Sequence, residues 1–469
     1  MLPQPRNYAI YPAVARVNCQ TEFVIAPTER SFLLYEGEAY ELLIIPIDAD
    51  EPSYHTPSKQ QTLTLVAEGG VLRFSHTFER EQEYTLRLFY QGKEKATLAV
   101  YALESDLFEL RPLKGDLHGH SYRSDGGRDP AALAGHYREQ GYDFFALTDH
   151  NRYYPGDEID ETYRDVELGI TRVKGEEVHA PGSVIHIVHV GGKKSVCEEY
   201  INNREEFEDA VKPFYEKIPK EVPTQYRDRY ARCLWVTDRI HKAGGIAIFA
   251  HPYWKPKMSR CHNVCEELAQ ILLKSGMFDA YELIGGVGQV GVNKSVALWS
   301  ELCAQGHDIR VVGSSDVHKL EGSPYFPHHF TVCFAKNNEN DAIIDAVRGG
   351  FCVAVEATGE EYNREYRCYG KLRLVDYAHF LLENYFVPMQ RICQGEGGAM
   401  RAYAMCDAPA ALIEMQVKQS ECFRRRFFGQ EETYLPNEEI KAFIARARAR
   451  QMQGPTSKGS SLDPENRQI

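Results

Sequence analysis

The sequence has no long hydrophobic run. No apolar stretch in its 469 residues approaches the ~18 residues that a membrane-spanning helix requires. The first residues, MLPQPRNYAIYPAV, also lack the positively charged start and the apolar core of a secretory signal peptide. We therefore expect a cytoplasmic protein with no membrane partner.

Basic residues are fewer than acidic residues. The sequence has 54 Lys and Arg residues and 67 Asp and Glu residues, which give a formal net charge of −13. This balance disfavours nucleic acid or an anionic membrane as a partner, although it is compatible with a local basic pocket. Hydrophobic residues make up 43% of the chain and charged residues 26%, which is typical of a globular protein. The length predicts two or three domains.

Three short signatures are missing as well. The 12 cysteines are scattered, and the closest pair, Cys261 and Cys265, has no second pair at zinc-site spacing, so we expect reduced thiols. No G-x-S-x-G sequence marks a serine nucleophile. The glycine-rich segment 285–288 lacks the Lys-Ser/Thr pair of a phosphate loop and predicts a turn. The chain also contains no internal repeat.

Short segments of alternating polar and apolar residues dominate the first part of the chain. They are 22–26, 40–46, 62–66, 84–90 and 96–101. Because a period of two residues is typical of half-buried strands, we expect a small antiparallel β-sandwich-like domain over residues 1–112.

From residue 113 onward, apolar strands alternate with helical stretches. Asp129 and Pro130 predict the start of a helix that runs through Gln140, and Gly141 predicts its end. Five segments read as buried parallel strands: 144–147, 184–188, 246–249, 281–284 and 309–312. This pattern predicts an α/β fold over residues 113–358, with the charged, helical segment 193–242 as an insertion that covers it.

The last part of the chain gives weaker signals. Residues 359–453 predict a mixed, partly helical region, in which 438–453 resembles a basic helix. A solvated helix explains that segment better than a nucleic-acid contact does. The polar tail 454–469 predicts disorder.

Metal-ligating residue types recur in or at the ends of the predicted strands. His118 and His120 are two residues apart, so on a strand both imidazoles point to the same side. Imidazole nitrogens and carboxylate oxygens bind borderline cations, and barrels gather their active sites at strand ends. Further candidate donors follow along the chain: Asp125, His150, Glu176 or Glu177, His186 or His189, His251, Asp316 and His318. Together they predict a multinuclear metal site.

The ordered series DLHGH, SDG, TDHN, GEE, IH, AHP and SDVH resembles the PHP (polymerase and histidinol phosphatase) superfamily. The resemblance is greatest to stand-alone metallohydrolases that carry an N-terminal β domain, and it covers roughly residues 113–335. It implies a distorted seven-stranded (βα) barrel with two or three divalent ions (Mn, Fe or Zn) at its mouth. His118, His120, Glu177 and Asp316 are then the catalytic ligands.

The resemblance also implies a ligand set for each metal. The first metal would take His118, His120 and Asp316, and Glu177 would bridge it to the second. The second metal would take His186 and His251, and the third would take Asp125, His150 and His318. The G-x-E spacing favours Glu177 over Glu176, and family position favours His186 over His189. Many relatives have histidine where this chain has Asp125, which can weaken or shift the third site.

Other polar residues near these motifs have simpler expected roles. Asp116 and Asp149 are expected to orient neighbouring histidines through the free ring N–H. Six histidines have no matching segment and are expected to be structural: His136, His179, His241, His307, His328 and His329.

The resemblance implies a metal-dependent hydrolase. The leading interpretation is a phosphoesterase that uses a metal-bound hydroxide on a small phosphorylated metabolite or nucleotide. Arg123, Arg152 and Arg260 are candidates for docking the phosphate, and a second set is a candidate for stacking a base or sugar, namely Tyr153, Tyr154, Tyr253 and Trp254. Three alternatives stay open: an amide or ester hydrolase, a non-catalytic PHP-like interaction protein, and a nuclease, which the acidic balance disfavours. The oligomeric state stays open too.

Overall fold

A computed structural model describes residues 7–29, 31–49, 60–258, 260–359 and 364–430, with a few positions between 439 and 449. The predicted disordered tail and most of the predicted basic helix lie outside these residues. The chain divides into two compact units, one of residues 106–424 and one that contains the described residues before 106 and from 425 onward. None of the helices in the described ranges combines the length and apolar character needed to cross a bilayer.

The N-terminal unit is built from two sheets. One sheet has the order β1-β3-β6 and the other β2-β8-β7-β4-β5, and all pairs are antiparallel except β2 with β8. Side chains from both sheets share one core, in which Phe23 stacks on Phe74. The strands are β1 (Tyr8–Tyr11), β2 (Val14–Arg16), β3 (Gln20–Pro27), β4 (Ala39–Pro46), β5 (Gln61–Val66), β6 (Leu72–Thr77), β7 (Gln82–Tyr90) and β8 (Lys93–Leu103).

The larger unit contains a mixed sheet with the order β15-β14-β13-β12-β11-β10-β9-β16-β17-β18. It therefore has ten strands in the described residues, where the sequence predicted seven. The strands are β9 (Arg111–Asp116), β10 (Phe144–Leu147), β11 (Thr171–His179), β12 (His186–Val190), β13 (Ile246–Phe249), β14 (Ala280–Ile284), β15 (Val311–Gly313), β16 (His329–Ala335), β17 (Cys352–Thr358) and β18 (Glu365–Tyr369).

Strand direction differs from the prediction at β12, which is antiparallel to both of its neighbours. The connection from β11 to β12 spans only residues 180–185, which is too short for the crossover that a parallel pair needs. Pairs β9–β10, β10–β11, β13–β14 and β14–β15 are parallel, as expected. Strands β16 to β18 add antiparallel pairs at the other edge.

Strand β15, at one edge of the sheet, approaches β16, so the curled sheet is nearly closed. The amide of Gly313 donates to the hydroxyl of Thr331 at 3.0 Å, and that hydroxyl donates to the Gly313 carbonyl at 2.7 Å. A Cβ at position 313 would lie 2.3 Å from the carbonyl oxygen of Phe330. Only glycine permits this approach, and the result is a barrel-like sheet.

Neighbouring residues on the strands point into two different cores. Ile187 and Phe249 pack with the helices outside the sheet, whereas Val188 and Ile248 belong to a second cluster with α9. The helices are α1 (Ser105–Phe108), α2 (Pro130–Glu139), α3 (Pro155–Thr162), α4 (Glu198–Ile201), α5 (Arg204–Val211), α6 (Arg227–Lys242), α7 (Glu266–Lys274), α8 (Gln289–Ala304), α9 (Asn340–Gly349), α10 (Leu372–Leu381), α11 (Val387–Ala404) and α12 (Ala410–Phe427).

Helix α2 begins and ends where the sequence predicts. Asp129 Oδ1 accepts a hydrogen bond from the Ala132 amide at 3.0 Å and caps the first turn. Gly141 follows the helix with a φ of +74°. Helix α11 packs against α2, where Glu396 accepts from the guanidinium of Arg138 at 2.7 Å in a buried ion pair. The described part of the C-terminal region is therefore helical from α10 onward.

The segment 193–242 contains helices α4, α5 and α6, as expected for a helical insertion. Its apolar side chains Tyr200, Phe207 and Trp235 are buried. They join the same core as Ile187 and Phe249 of the sheet, so the insertion covers the outer face of these strands.

Candidate metal centre

The candidate donors lie at one end of the barrel-like sheet. Strands β9, β10, β13 and β15 each end just before a candidate donor, and β12 begins with one because it runs in the opposite direction. Backbone hydrogen bonds join the first and last motifs: the Asp316 amide donates to the His118 carbonyl at 3.0 Å, and the His120 amide donates to the Val317 carbonyl at 2.9 Å. Segments about 200 residues apart are therefore fixed side by side.

Glu177 is fully buried at the centre of the cluster. Six imidazoles surround its carboxylate, three on each oxygen. The distances to Oε2 are 3.4 Å from His118 Nε2, 3.5 Å from His120 Nε2 and 2.6 Å from His150 Nδ1. The distances to Oε1 are 3.3 Å from His179 Nε2, 2.8 Å from His186 Nδ1 and 3.3 Å from His251 Nε2. A carboxylate with this arrangement can bridge two cations.

Asp316 is the second carboxylate of the cluster. Its Oδ1 lies 3.0 Å from His120 Nε2 and 3.4 Å from His118 Nε2, and its Oδ2 lies 3.8 Å from His251 Nε2. Asp316 has a φ of +50°, a conformation that non-glycine residues rarely adopt. Backbone strain of this kind persists where the surroundings impose it, which is common at functional sites.

A third group of donors lies nearer the surface. Asp125 Oδ1 is 3.2 Å from His318 Nε2 and 3.4 Å from His150 Nε2, and the Asp125 side chain is 56% exposed. His120 completes this group. Since His120 and His150 also face Glu177, the three groups of donors are continuous.

The sequence left two choices of ligand open, Glu176 or Glu177 and His186 or His189. In the structure, the members of each pair lie on opposite faces of the sheet. Glu177 and His186 face the cluster, whereas Glu176 Oε1 lies 2.9 Å from His189 Nδ1 on the opposite face of the sheet. The Glu176 carboxylate also accepts from the Ser195 hydroxyl and the Val196 amide, so it anchors the start of the insertion. The geometry thus places Glu176 and His189 outside the donor cluster.

Two residues of the cluster were not predicted. His179, expected to be structural, shares the face of Glu177 because it lies two residues further along β11. It stacks on His186 with ring centroids 3.8 Å apart. The spacing Glu177-x-His179 repeats the His118-x-His120 pattern, so the sequence did carry a signal for it.

The second unpredicted residue is Glu282, which is buried on β14. Its Oε2 lies 3.2 Å from His118 Nδ1. With this ring nitrogen donating to Glu282, the Nε2 lone pair of His118 is directed toward Glu177 and Asp316. A single carboxylate within an otherwise apolar strand was the available signal.

Asp116 and Asp149 do not orient histidine rings, which corrects the expectation for them. Asp116 accepts from the Ser315 amide at 3.1 Å, from the Tyr137 hydroxyl at 3.1 Å and from the His118 amide at 3.2 Å. Asp149 accepts from the Ser121 amide and from the hydroxyls of Ser121 and Ser124. Both carboxylates therefore hold the loops that carry the donors.

The electrostatics shift the pKa values of the cluster in opposite directions. At His118, burial is outweighed by Asp316, Glu282 and Glu177, and the pKa is raised well above its usual value. Burial alone would raise the pKa of Glu177, but the surrounding imidazoles, with His118 and His186 foremost, hold it well below its usual range. Burial lowers the pKa of His120 and that of His186 to about 4, so both rings are neutral near pH 7. At His150, burial is outweighed by Asp125 and Glu177, and the pKa rises to about 10.

The donor set fits divalent cations. Within the described residues, both Glu177 oxygens are buried without a hydrogen bond of good geometry. A buried carboxylate needs a compensating positive charge, and the imidazoles and carboxylates around it are the ligands that Mn, Fe or Zn accept. Among the described residues, five groups of donors lie close enough to share an ion, and they are His118–His120–Glu177, His118–His251–Asp316, His150–Glu177–His179, Glu177–His186–His251 and His120–Asp125–His150–His318.

The three arginines predicted to dock phosphate lie outside this cluster. Arg123 forms an ion pair with Glu158 at 2.7 Å. Arg152 is exposed, with its guanidinium 3.4 Å from the Tyr154 hydroxyl, and Arg260 is exposed as well. The structure shows no contact between any of them and a candidate metal donor among the described residues.

Of the four aromatic candidates, Trp254 lies beside the donors. Its ring is 5.7 Å from that of His186 and 6.2 Å from that of His251. Tyr253 is buried in the core. The Tyr153 hydroxyl donates to the Gly192 carbonyl and Tyr154 is exposed.

No family model matches the chain, and no curated protein matches its sequence. Among solved structures, a two-domain protein from Bacteroides vulgatus containing a predicted PHP-like metal-dependent phosphoesterase is 19% identical, with 52% of this chain and 65% of that one covered at a TM-score of 0.36. The chain thus spans less than two thirds of that protein's length.

Two further neighbours cover 45% of this chain and 89% of their own. One, described as a metal-dependent phosphoesterase from Bifidobacterium adolescentis, is 20% identical with a TM-score of 0.32. The other, an amidohydrolase from Chromobacterium violaceum with bound sulfate and no metal, is 18% identical with a TM-score of 0.31. A protein that contains a predicted PHP-like phosphoesterase is thus among the structures to which this chain is similar.

Proposed function

We propose that this protein is a metal-dependent hydrolase, and specifically a phosphoesterase that acts on a small phosphorylated metabolite or nucleotide. The observation that carries the proposal is the position of Glu177, which is buried and places its two oxygens among six imidazole nitrogens. Such a centre binds two or three Mn, Fe or Zn ions. We also propose that strands β9 to β15 correspond to a seven-stranded PHP-type barrel and that the protein is cytoplasmic.

We assign the donors to three positions. His118, His120 and Asp316 would hold the first ion, Glu177 would be shared between it and a second ion on His186 and His251, and Asp125, His150 and His318 would hold a third. Cations in these positions lower the pKa of water and neutralise charge on phosphoryl oxygens.

The chain's own residues supply the positioning. Glu282 fixes the ring of His118, and Asp116 fixes the loop that carries Asp316 through the Ser315 amide and hydroxyl. Trp254 packs at one side of the cluster beside His186 and His251. A rigid set of this kind lowers the entropic cost of bringing a phosphate ester and water together.

Metal content tests the proposal directly. The full chain, loaded with Mn, Fe or Zn and desalted, is expected to retain at least one tightly bound ion by elemental analysis. The variant His118→Ala is expected to lose bound metal, because it removes an imidazole from a shared centre. His307→Ala serves as the matched control, since His307 lies outside the cluster. Retention of no metal by the wild-type chain would refute the proposal.

A substrate panel separates the phosphoesterase from the open alternative of an amide or ester hydrolase. The Mn-loaded chain is assayed with phosphate monoesters, phosphate diesters, carboxylic esters and amides. Phosphate release that disappears in His118→Ala supports the phosphoesterase. Activity confined to acyl substrates would replace it with the alternative, and a metal-loaded chain active on neither would favour a binding role.

A further inference from the structure

A cavity of about 400 Å³ lies at the same end of the sheet as the donors. The loop after β14, the start of β16 and the end of β17 line it. Because β16 is antiparallel to β9, its first residue, His329, is at the end where β9 leads to His118. We name this cavity the His329–Glu356 pocket after its two most buried polar residues.

The pocket and the metal donors share structural parts. Gly286 lies in the loop that lines the pocket, and a Cβ there would be 2.4 Å from Asp316 Oδ2, so this loop contacts a candidate ligand directly. Tyr325 lines the pocket too, and its pKa is raised by burial and by the charge of Asp316. The pocket therefore adjoins the metal donors through this loop and through Tyr325.

Two hydrogen-bond acceptors face each other inside the pocket. His329 Nδ1 lies 2.8 Å from the Gly285 carbonyl oxygen and must donate to it, so Nε2 carries the lone pair of the neutral ring. Burial lowers the pKa of His329, which keeps the ring neutral. Glu356 Oε1 lies 3.9 Å from this Nε2, and no hydrogen bond joins them. Both residues line the cavity, so an occupant that brings two hydrogen-bond donors can satisfy both acceptors.

The charge of the pocket limits what the donors can be. The second oxygen of Glu356 accepts from the Arg367 guanidinium at 3.0 Å. The carboxylate is therefore already compensated, and an ammonium group would gain little there. Two neutral O–H donors on neighbouring carbons satisfy both acceptors without adding charge.

We propose that the His329–Glu356 pocket binds a vicinal diol in the alcohol part of the phosphate ester substrate. The occupant is thus a sugar phosphate or a comparable polyhydroxylated ester, with one hydroxyl donating to His329 Nε2 and the other to Glu356 Oε1. This inference rests on the proposed phosphoesterase function and names its substrate class.

The test compares ribose 5-phosphate with 2-deoxyribose 5-phosphate, because the second sugar lacks the vicinal diol. The Mn-loaded wild-type chain is expected to prefer ribose 5-phosphate by about tenfold in kcat/KM, the effect of one lost hydrogen bond. The variant Glu356→Gln is expected to bring this ratio close to one, because its amide can donate to His329 Nε2 and fill the gap. Glu301→Gln, an exposed carboxylate on α8, is the matched control and should keep the wild-type ratio.

A second variant keeps the test informative if Glu356→Gln fails to fold. Arg367→Met removes a half-exposed side chain and leaves Glu356 uncompensated. It is expected to shift preference toward ethanolamine phosphate, whose ammonium then pairs with the free carboxylate. A wild-type preference for ethanolamine phosphate, or an equal kcat/KM for the two sugars, would overturn the diol assignment.

Failure of the proposed function has a different signature. In that case the wild-type chain hydrolyses none of ribose 5-phosphate, 2-deoxyribose 5-phosphate and phenyl phosphate. The pocket is then tested by calorimetry, which measures the binding of the two sugar phosphates to the metal-loaded chain. Tighter binding of ribose 5-phosphate, lost in Glu356→Gln, supports the pocket even so. Equal binding of the two sugars refutes it.

Discussion

His118 Nδ1 lies 3.2 Å from Glu282 Oε2, and both side chains are almost completely buried. The Glu282 carboxylate accepts a hydrogen bond from His118 Nδ1, so His118 Nε2 faces the other candidate metal donors. Because this pairing orients a ligand and raises its basicity, Glu282 belongs to the candidate site although it does not face Glu177 itself.

We expect Glu282→Gln to weaken metal binding by about 10- to 100-fold, because a neutral amide holds the His118 ring less firmly than a carboxylate does. Competition with a chromophoric chelator measures this affinity. Glu301→Gln is the control for loss of a negative charge. Wild-type affinity in Glu282→Gln would show that the pairing has no role in the site.

We expect His179→Ala to lower the affinity for one bound ion by about tenfold or more, because His179 faces Glu177 Oε1 together with His186 and His251. The thermal stability of the metal-free chain should change little, since the side chain is 28% exposed. Titration with Mn or Zn and calorimetry of the metal-free chain separate the two effects. An unchanged metal affinity in this titration would show that His179 has only a structural role.

We expect Asp125→Asn to remove the most weakly held metal equivalent and leave the others. Asp125 is the exposed member of its group and contacts no donor of the Glu177 core except His150. Asp125→His should restore this equivalent, since imidazole is a stronger donor for borderline cations. Elemental analysis after dialysis measures the number of ions per chain, and loss of every ion in Asp125→Asn would contradict the separation of the groups.

We expect Glu176→Gln to lower the free energy of unfolding by about 1–3 kcal/mol, because it disturbs a buried carboxylate that accepts hydrogen bonds from Ser195 and Val196. Metal content per folded chain should stay at the wild-type level. Glu177→Gln should show the opposite pattern, with metal lost. Urea unfolding and elemental analysis of both variants test this contrast. A loss of metal in Glu176→Gln would contradict the placement of Glu176 outside the donor cluster.

The buried side chain of Lys114 predicts how the stability of the folded chain depends on pH. Burial lowers its pKa to about 7, with its ammonium donating to the Gln140 carbonyl at 2.8 Å. Between this value and the ordinary pKa of about 10.5, the unfolded chain binds one more proton than the folded chain, so this group makes stability rise with pH in that window. Below pH 7 the full cost of the buried charge is present.

In Lys114→Met this contribution disappears. Relative to the wild type, the variant is expected to be most stable near pH 7 and to lose its advantage by at most about 1.4 kcal/mol per pH unit toward pH 10. Urea unfolding at four pH values between 7 and 10 measures the difference. A difference independent of pH would show that Lys114 titrates normally in the folded chain.

Much of the candidate site could be predicted because its donors sit in short local patterns. The two-residue spacing of His118 and His120 and the ordered motifs after them are properties of the sequence. The helix from Asp129 to Gly141 was predictable for the same reason, since capping depends on neighbouring residues. The direction of β12 was not, because apolar composition is the same for parallel and antiparallel buried strands.

By itself, the sequence determined the donor types, their order along the chain and the two-residue spacing that places His118 and His120 on one side of an extended segment. Only the tertiary structure decided that the pairing of β11 with β12 brings His186 to the face of Glu177 and His179, that Glu282 orients His118 and that His329 and Glu356 share a pocket. The physical reason is distance along the chain. Glu282 lies 164 residues from His118, and no local propensity encodes a contact made only when the sheet curls.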